Sequence, residues 1–347
     1  MRITREDVAR EAGVSASTVS YVLNNSRQLS ENTVRRVHEA VERLGYKPDM
    51  IARSMVKSST HQLAVALDSI LNPYYSEIVL GFENAAIKNG YFVNVCSGQN
   101  NLDGYFETFI SRRIDGLFIL ALPDQYSPQK IYSLVDSGIA VVSGGIEDID
   151  LKKVSLITSN YGEGMKLALE HLYALGHRRI AYLTTLSGTE TSDMRAEAYR
   201  QFLRDKRLDY GGDLIFHVDS AYSIDIEDGY HSAKNMLESG KAFTAVICVN
   251  DLMAIGAITA IREAGLCVPD DISVVGFDNI IYAQHWSPSI TSVTHDKQEF
   301  GARAFELLHS NITQNITGYF QASVHLSCGG STAAANTDRL AKPETHA

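Results

Sequence analysis

The feature that most constrains this chain is the N-terminal stretch from Thr4 to Asn25, TREDVAREAGVSASTVSYVLNN. Thr4 and Asp7 have the spacing of a capping box, which predicts the start of a helix. Gly13 predicts the end of that helix, because the residue just past a helix end adopts a positive φ that glycine tolerates. Ser15 is placed to cap a second helix. The stretch therefore predicts two short helices joined by one tight turn.

The second predicted helix has two different faces. Val19, Val22 and Leu23 fall on an apolar face, since successive residues turn by about 100°. The opposite face carries small side chains and one phenol: Ala16, Ser17, Ser20 and Tyr21. Such a face fits closely into a groove and offers hydroxyls to base edges and phosphates. Taken alone, the stretch is compatible with a helix-turn-helix unit that reads the DNA major groove, and equally with an ordinary amphipathic helix pair.

The residues that follow favour the first interpretation. Ser30 is placed to cap a third helix that ends at Gly45. An apolar stripe runs along it at helical spacing: Val34, Val37, Val41 and Leu44. From Asp7 to Met55 the chain reads DVAREAGVSASTVSYVLN and then LSENTVRRVHEAVERLGYKPDMIARSM. It resembles the LacI/GalR family of bacterial repressors, whose pattern is DVAxxAGVSxxTVSxVLN followed by VSxxTxxRVxxAxxxLGYxPxxxARSL.

The resemblance implies a head that binds DNA through the second helix and through a hinge. In the family, a hinge helix pairs across the dimer and inserts the side chain at the leucine position of ARSL into the minor groove. This chain has Met55 there, and the alternative is a linker in which Met55 is a surface residue, because so short a helix is marginal alone. The residues expected to contact DNA are Thr4, Ser15, Ala16, Ser17, Thr18, Ser20, Tyr21, Asn24 and Met55.

Charge separates the head from the rest of the chain. Residues 1–60 hold 10 Lys and Arg against 7 Asp and Glu, whereas the remainder holds 21 against 34, for a net charge of −10. A mildly basic head on an acidic body suits a phosphate-contacting module attached to a sensor. So small a basic excess is also ordinary, and the charge supports the interpretation only weakly.

Other classes of protein lack support in the sequence. No apolar run approaches the roughly 18 residues of a membrane span, and the charged N-terminus is unlike a secretory signal. The four cysteines are scattered without metal-ligand spacing, which predicts reduced thiols in a cytoplasmic protein. No GxGxxG follows the first strand, and GxxxxGK[ST], HExxH and GxSxG are all missing, so we expect no catalytic residue, no cofactor and no metal.

From Gln62 onward, apolar runs alternate with helical patterns in two similar series. Near-continuous runs of Val, Ile and Leu predict buried parallel strands. The runs are LAVAL (63–67), YFVNVC (91–96), GLFIL (116–120), IAVVS (139–143), RIAYLT (179–184), LIFHV (214–218), TAVICV (244–249) and ISVVGF (272–277). This alternation predicts open, mostly parallel α/β sheets with helices on both faces, and the two series predict two lobes.

The stretches EHLYALGHRRIAYLT and VNDLMAIGAITAIREAGLCVPDDISVVGFDNI extend the resemblance to the family's sensor domain. That domain is similar to periplasmic sugar-binding proteins, with two doubly wound lobes, three crossing strands and a ligand cleft. We therefore expect an all-α helix-turn-helix head followed by a two-lobed, periplasmic-binding-protein-like α/β domain. The expected segments are the head at 1–48, hinge helix and linker at 49–60, effector-binding and dimerisation domain at 61–335, and tail at 336–347. The first lobe is expected at about 61–160 and 292–322, and the second at about 161–291 and 323–335; residues from Ala333 onward are expected to be disordered.

Ligands of open α/β sheets bind past the carboxyl ends of the strands. The residues there that we expect to bind an effector are Tyr74, Tyr75, Ser159, Arg195, Asn250, Asp278 and Trp286. By resemblance, Arg195 and Asp278 match the arginine and the carboxylate that bind ligand hydroxyls in the family, whereas Ser159 stands where many members have aspartate. Two alternative roles remain among the aromatic residues: core packing for one of the two tyrosines, and hinge packing for Trp286. Asp251 is expected to cap a helix.

The sequence thus predicts a cytoplasmic, DNA-binding transcription regulator, most simply a repressor, and not an enzyme. It is expected to act as a homodimer on a pseudo-palindromic operator in double-stranded DNA and to be controlled by a small-molecule effector, a sugar. One alternative is a solute-binding protein for sugar uptake, which predicts an export signal and no helix-turn-helix. An enzyme, the other alternative, requires a nucleophile with its base or a cofactor motif.

Overall fold

The computed structural model describes residues 3–24, 26–47, 59–97, 102–120, 128–144, 149–185, 194–208, 214–218 and 225–336. The chain divides into two compact units, Met1–Thr60 and His61–Ala347, which we call the head and the sensor domain. The head contains helices α1 (Arg5–Ala12), α2 (Ala16–Asn24) and α3 (Glu31–Leu44). The expected hinge helix, with Met55, lies outside the described residues.

The ends of the head helices follow the predicted caps. The main-chain N–H of Asp7 donates to Thr4 Oγ1 at 3.3 Å, and the Asp7 carboxylate accepts from the Thr4 N–H at 2.9 Å. Gly13 ends α1 at φ +63°, where a side chain is strained. The Thr18 N–H then donates to Ser15 Oγ at 3.1 Å, which caps α2. The tight turn is therefore specified by three consecutive local signals.

A small core fixes how the three head helices pack. Val8, Val19 and Val37, one from each helix, are fully buried and belong to one apolar cluster. Val22 is also buried, which confirms the predicted apolar face of α2. Burial of these branched side chains leaves the opposite side of α2 at the surface.

The sensor domain alternates strands and helices. Its first part contains β1 (Gln62–Leu67), α4 (Pro73–Lys88), β2 (Phe92–Ser97), α5 (Leu102–Arg112), β3 (Gly116–Leu120), α6 (Pro128–Asp136), β4 (Ala140–Ser143) and β5 (Ser155–Ser159). Next come α7 (Tyr161–Ala174), β6 (Ile180–Thr185), α8 (Met194–Lys206), β7 (Ile215–Val218), α9 (Ile226–Glu238), β8 (Ala245–Cys248), α10 (Asp251–Glu263), β9 (Ser273–Phe277), α11 (Ile281–His285) and β10 (Thr291–Thr294). The last elements are α12 (Lys297–Gln314), β11 (Tyr319–Ala322) and β12 (His325–Ser327).

The strands form two six-stranded sheets, one in each lobe. The first sheet has the order β11-β5-β4-β3-β1-β2 with all neighbours parallel, and the second has the order β12-β10-β9-β8-β6-β7. Only β12 runs antiparallel to its neighbour β10 among the described strands of the second sheet. Strand β1, which lies between β3 and β2, is almost completely buried from Leu63 to Leu67. The predicted two-lobed parallel architecture is therefore confirmed, since helices cover both faces of such sheets.

The chain crosses between the sheets three times. It leaves the first sheet after Ser159, returns after Thr294 and leaves again after Ala322. The return comes later than the expected boundary at about 292, because β10 continues the second sheet, with Thr291 opposite Val275. The helix after β10, α12, packs on α4 and on strands of the first sheet.

In each lobe, a glycine allows two helices to come into close backbone contact. A Cβ atom at Gly301 in α12 would overlap the carbonyl oxygen of Ile78 in α4, and one at Gly256 in α10 would overlap the carbonyl oxygen of Ile226 in α9. Only glycine permits so close a backbone approach. Each lobe is thus built around one tightly packed helix pair.

Hydrogen bonds, one of them from His177, attach the segment from Ala333 to Ala335 to the second lobe. His177 Nε2 donates to the Ala333 carbonyl at 3.0 Å, and its Nδ1 accepts from the Thr244 hydroxyl at 2.9 Å. Burial lowers the pKa of His177, which favours the neutral ring. The Ala335 N–H also donates to the Leu175 carbonyl at 2.9 Å. The expectation of disorder is therefore wrong for Ala333 to Ala335, while the tail from 337 lies outside the described residues.

Three further observations concern membrane spans, metal sites and cysteines. Within the described ranges, no helix combines the length and hydropathy needed to cross a bilayer. In the same part of the chain, no group of three or more His, Cys, Asp or Glu is arranged to hold a metal ion. All four cysteines are free thiols.

Candidate DNA-binding face and effector site

The candidate DNA-binding face is the exposed side of α2. Ser17 is exposed and Tyr21 is 37% exposed, whereas Val19 on the opposite side is fully buried. The half-buried members of the face are Ala16, Thr18 and Ser20. Asn24 is the last residue of the helix. Packing therefore presents Ser17 and Tyr21 most fully at the surface, as the sequence predicts.

Three of the expected hydroxyls have local structural roles. Thr4 Oγ1 is bonded to Asp7 at 2.7 Å, and these bonds to Thr4 lower the pKa of the Asp7 carboxyl. Ser15 Oγ and Thr18 Oγ1 lie 2.8 Å apart at the start of α2. Thr4 and Ser15 hold helix starts, so their proposed DNA contacts add to a role that the fold already gives them.

The two neighbouring arginines of α3 differ in what they do. Arg35 reaches Asn32 Oδ1 at 3.0 Å and Glu39 at 3.9 Å on an exposed surface, and exposed pairs of this kind are weak. Arg36 instead donates to the carbonyls of Ala12 and Gly13 at the end of α1, the latter at 3.0 Å. Arg36 therefore has a structural role in the head that Arg35 does not share, because its guanidinium caps α1.

Substitution of Tyr21 is expected to change the preferred operator half-site. Tyr21→Ala removes the largest side chain of the exposed face, at about 1–3 kcal/mol for each base it discriminates. Tyr21→Phe separates the hydroxyl from the ring. Arg35→Ala is the control, because loss of a phosphate contact weakens all sequences alike and reduces the salt slope. Selection from random duplexes measures the preference; an unchanged motif for Tyr21→Ala contradicts the assignment.

The candidate effector site is built around Asp278, which directly follows β9. Asp278 has φ +96°, a conformation rare for a residue with a side chain. Its N–H donates to the Val293 carbonyl at 2.8 Å, and its carbonyl accepts from Thr294 Oγ1 at 3.0 Å and Lys297 Nζ at 2.7 Å. These hydrogen bonds fix the backbone of Asp278 and therefore the position from which its carboxylate side chain extends.

Electrostatics at this site depend on two carboxyl groups and two cations. Burial raises the pKa of Asp278 to about 6, against the opposing charges of Arg195 and Lys297. Burial also raises the pKa of Asp251, and the nearby Asp278 raises it further. A carboxylate that is costly to ionise gains strongly from a ligand that donates hydrogen bonds to it.

Arg195, the second residue of α8, has its guanidinium group next to two aromatic rings. Its guanidinium carbon lies 4.1 Å from the ring centre of Tyr161 and 5.1 Å from that of Phe277. Stacking on both rings restrains the planar fork of donors. The positive charge of Arg195 lowers the pKa of both Asp278 and Tyr75. The structure therefore brings these three predicted residues into one neighbourhood.

The two predicted tyrosines differ in their surroundings. Burial raises the pKa of both, and Asp278 raises it further in each. Tyr74 is 9% exposed and donates its hydroxyl to His295 Nε2 at 3.1 Å, since Nδ1 of that ring faces the Asp296 carbonyl. Tyr75 is half-buried and packs edge-on against Tyr74 at 5.3 Å. Tyr74 thus has a packing role, which leaves Tyr75 as the stronger candidate for ligand contact.

The helix cap that the sequence places at Asp251 lies instead at Asn250. Asn250 caps α10, with its Oδ1 accepting from the Met253 N–H at 2.8 Å. Asp251 is fully buried and accepts from the Ile280 N–H at 2.8 Å and from Ser292 Oγ at 2.7 Å. The expected cap at Asp251 is therefore wrong: its carboxylate joins the segment after β9 to β10. An effector contact by Asn250 remains a prediction for its amide nitrogen.

The remaining predicted residues are Ser159 and Trp286. Ser159 ends β5 at the first crossing, is 1% exposed, and its hydroxyl has no hydrogen-bond partner among the described residues. An unpaired buried hydroxyl costs about 1–3 kcal/mol, which a polar ligand could offset. Trp286 follows α11 and is 37% exposed. Their effector contacts stay predictions.

Three residues of the site were not predicted. Tyr161 and Phe277 hold Arg195, and Lys297 bonds the Asp278 carbonyl. Tyr161 and Phe277 lie next to predicted positions at strand ends, so the rule that identified Asp278 could have included them. Lys297 carries no such signal, since its contact with Asp278 spans 19 residues and depends on the crossing.

Replacement of Asp278 by Asn is expected to stabilise the ligand-free protein near neutral pH. The folded pKa of about 6 exceeds the usual 3.8, so ionisation of Asp278 destabilises the fold at higher pH and ceases to do so below about pH 4. We expect an excess free energy of unfolding on the order of 1–3 kcal/mol at neutral pH that vanishes in acid. Urea unfolding across this pH range measures it.

The comparison with the parent protein isolates this effect. Burial lowers the pKa of His295 to about 4, so its stabilising contribution disappears as the pH falls from 6.5 towards 4. The stability lost through His295 as the pH falls is the same in the parent protein and in Asp278→Asn, so it cancels from the difference between them. An excess stability that stays constant with pH contradicts the assignment to Asp278.

Both parts of the chain resemble known proteins. Residues 4–49 match the family described as bacterial regulatory proteins, lacI family, and residues 169–332 match a periplasmic binding protein-like domain. The HTH-type transcriptional repressor PurR of Histophilus somni (strain 129Pt) is 32% identical over 315 residues, which cover 90% of this chain and 92% of that repressor. PurR of Aliivibrio salmonicida (strain LFI1238) is 33% identical over 314 residues, covering 89% and 92%.

Solved structures agree with the fold. The lac repressor dimer bound to operator and the anti-inducer ONPF has a TM-score of 0.82 and 26% identity, covering 96% of this chain and 100% of that one. The complex of the transcriptional regulator CelR with cellobiose has a TM-score of 0.71 and 27% identity, covering 95% and 100%. These relatives are regulators, which confirms that the chain is not an enzyme. On its sequence, its fold and these relatives, the chain belongs to the lacI family of bacterial regulatory proteins, as a transcriptional repressor with a DNA-binding head and a ligand-binding domain.

Proposed function

We propose that this repressor releases or binds its operator in response to a small hydroxyl-bearing molecule, a sugar or sugar derivative, held between the two lobes. The observation that carries the proposal is the proximity of the Arg195 guanidinium to the Asp278 carboxyl, with the Tyr75 phenol beside both. A stacked fork of donors near a carboxylate suits adjacent hydroxyls, because sugar hydroxyls both donate and accept.

The relatives support this effector class in part. CelR is described in complex with cellobiose, at 27% identity to this chain. The aromatic rings beside Arg195 also suit a planar nucleobase, so a nucleobase or nucleoside is the competing ligand class. The two classes differ in their demand on Asp278: a sugar offers paired hydroxyls, whereas a base offers ring N–H groups.

Operator recognition is proposed to use two heads. The lac repressor that resembles this chain is described as a dimer bound to operator. A two-fold symmetric dimer places its two recognition helices on successive half-sites, which predicts a pseudo-palindromic operator. The residues proposed to read it lie on α2, and Met55 of the hinge is proposed to enter the minor groove. Such a repressor acts in the cytoplasm, where bacterial DNA lies.

Effector and operator binding are coupled in this proposal. Closure of the two lobes on an effector changes the position of the first lobe of one subunit relative to the first lobe of the other. This change alters whether the two hinge helices can pair. The coupling is reciprocal: an inducer that weakens operator binding is itself bound less tightly by the operator-bound repressor.

A thermal-shift screen of sugars, nucleosides and nucleobases tests the effector class. A ligand that binds only the folded state raises the melting temperature in proportion to the logarithm of its concentration above its Kd. The proposal expects a sugar to raise the melting temperature of the parent protein but not of Arg195→Ala. A response to a nucleobase alone replaces the sugar with that class, and no response to any member contradicts the proposed effector.

A further inference from the structure

Lys297 is the first residue of α12 and is almost completely buried. Its side chain is 7% exposed. Lysine is seldom this buried unless its ammonium group is paired. Its position just after the second crossing places it where the chain passes from the second sheet to the first lobe.

The ammonium group of Lys297 has partners in both lobes. It donates to the carbonyls of Asp278 at 2.7 Å and Asn279 at 3.2 Å, in the segment that follows β9 of the second lobe. It also lies 3.6 Å from the Glu77 carboxylate in α4 of the first lobe. One side chain thus links the effector-site segment to the opposite lobe.

The two carbonyls belong to residues in an unfavourable backbone conformation. Asp278 has φ +96° and Asn279 has φ +48°. Two successive side-chain-bearing residues keep positive φ only where the surroundings hold them. The Asn279 N–H donates to Ser292 Oγ at 2.9 Å, and the Ile280 N–H donates to Asp251 at 2.8 Å. Lys297 donates to the carbonyls of Asp278 and Asn279 in the same segment.

We propose that Lys297 is a positioning residue that orients the Asp278 carboxylate and ties the Asp278–Asn279 segment of the second lobe to Glu77 of the first. The proposal deepens the proposed function, on which it rests, because it matters for regulation only if Asp278 binds the effector. A change at Asp278 then alters the bonds of Lys297 and so its pairing with α4, which gives the effector site a direct link to the first lobe.

The test is hydrogen exchange of the ligand-free, full-length protein and its variants. Lys297→Met keeps the aliphatic stem and removes the ammonium, so the amides of Asn279 and Ile280 are expected to exchange about tenfold faster. Glu77→Gln is expected to accelerate the same amides, although it lies in the other lobe. In the double variant, Glu77→Gln is expected to add nothing, because its effect passes through Lys297.

Controls separate positioning from general loss of structure. Lys88→Met changes an exposed lysine of the same helix as Glu77 and is expected to leave exchange unchanged. Lys297→Arg retains the positive charge and donors and is expected to restore most of the protection. The amide of Val246, in the core strand β8, is expected to keep its parent rate in every variant.

Three results overturn the proposal. These are unchanged exchange at Asn279 and Ile280 in Lys297→Met, additive effects of the two substitutions, or equal acceleration at Val246. If Lys297→Met fails to fold, the exchange of Glu77→Gln alone tests the proposal. In that case, unchanged exchange rates at Asn279 and Ile280 contradict a link between the lobes. The readout needs no effector, so it can succeed or fail independently of the effector-response experiment on Arg195 and Asp278.

Discussion

Removal of residues 1–58 is expected to abolish sequence-specific DNA binding and to leave a folded, dimeric sensor domain. The head has its own apolar core around Val8, Val19 and Val37, and the sensor domain, which the truncated chain retains, has its own two sheets. All the basic excess also lies in residues 1–60. Because specific sites are bound about 10³- to 10⁷-fold more tightly than non-specific DNA, the loss is expected to be at least about a thousandfold.

Selection from a random duplex pool measures this loss, since the pool contains every short half-site and the protein itself chooses among them. The full-length protein is expected to enrich a two-fold symmetric motif, and the truncated chain none. Circular dichroism and sedimentation serve as the control, since they show whether the truncated chain folds and dimerises. Enrichment of the same motif by the truncated chain would place specific DNA contacts in the sensor domain and reject the assignment.

Arg195→Ala and Asp278→Ala are each expected to weaken effector binding by about 30- to 5000-fold. Each substitution leaves the other charge poorly paired in a buried site, which costs about 2–5 kcal/mol. The burial that raises the pKa of Asp278 to about 6 shows how dependent this carboxylate is on compensating charge. Operator affinity without effector is expected to change little, because both residues lie in the sensor domain.

The measurement is operator release as a function of effector concentration, with the sugar identified by the thermal-shift screen as the effector. Arg204→Ala is the matched control: it removes an arginine from the same helix as Arg195, but one whose pair with Glu197, at 2.8 Å, is exposed. A normal response in both site variants rejects the site. Loss of operator binding without effector would show instead that these residues hold the fold.

Where prediction from the sequence succeeded, the controlling interactions are local. The caps at Thr4, Ser15 and Ser30 and the helix end at Gly13 each involve groups within a few residues. Apolar runs located the eight predicted strands because buried parallel strands need continuous apolar sequence. The sequence of β5, SLITS, does not predict a strand by this rule, because two serines and a threonine interrupt its apolar character.

The effector site shows where such prediction ends. Asp278 is predicted from its position after a strand together with the family resemblance, and Arg195 from a motif at a helix start. The sequence does not indicate that the rings of Tyr161 and Phe277 lie next to the guanidinium group of Arg195. Residues brought together by the packing of α7, α8 and β9 have no fixed spacing in sequence, so no periodic pattern reports their contact.

The sequence by itself determined the family, the three head helices and the two βα series, because each depends on short-range spacing or on a continuous motif. Only the tertiary structure decided which polar side chains serve the fold. Arg36 caps α1 across 23 residues, Asp251 joins β10 across 41 residues, and Lys297 reaches back 19 residues to Asp278. The physical reason is that a buried polar group must find a partner wherever the folded chain supplies one, and that partner is set by tertiary packing rather than by neighbours in sequence.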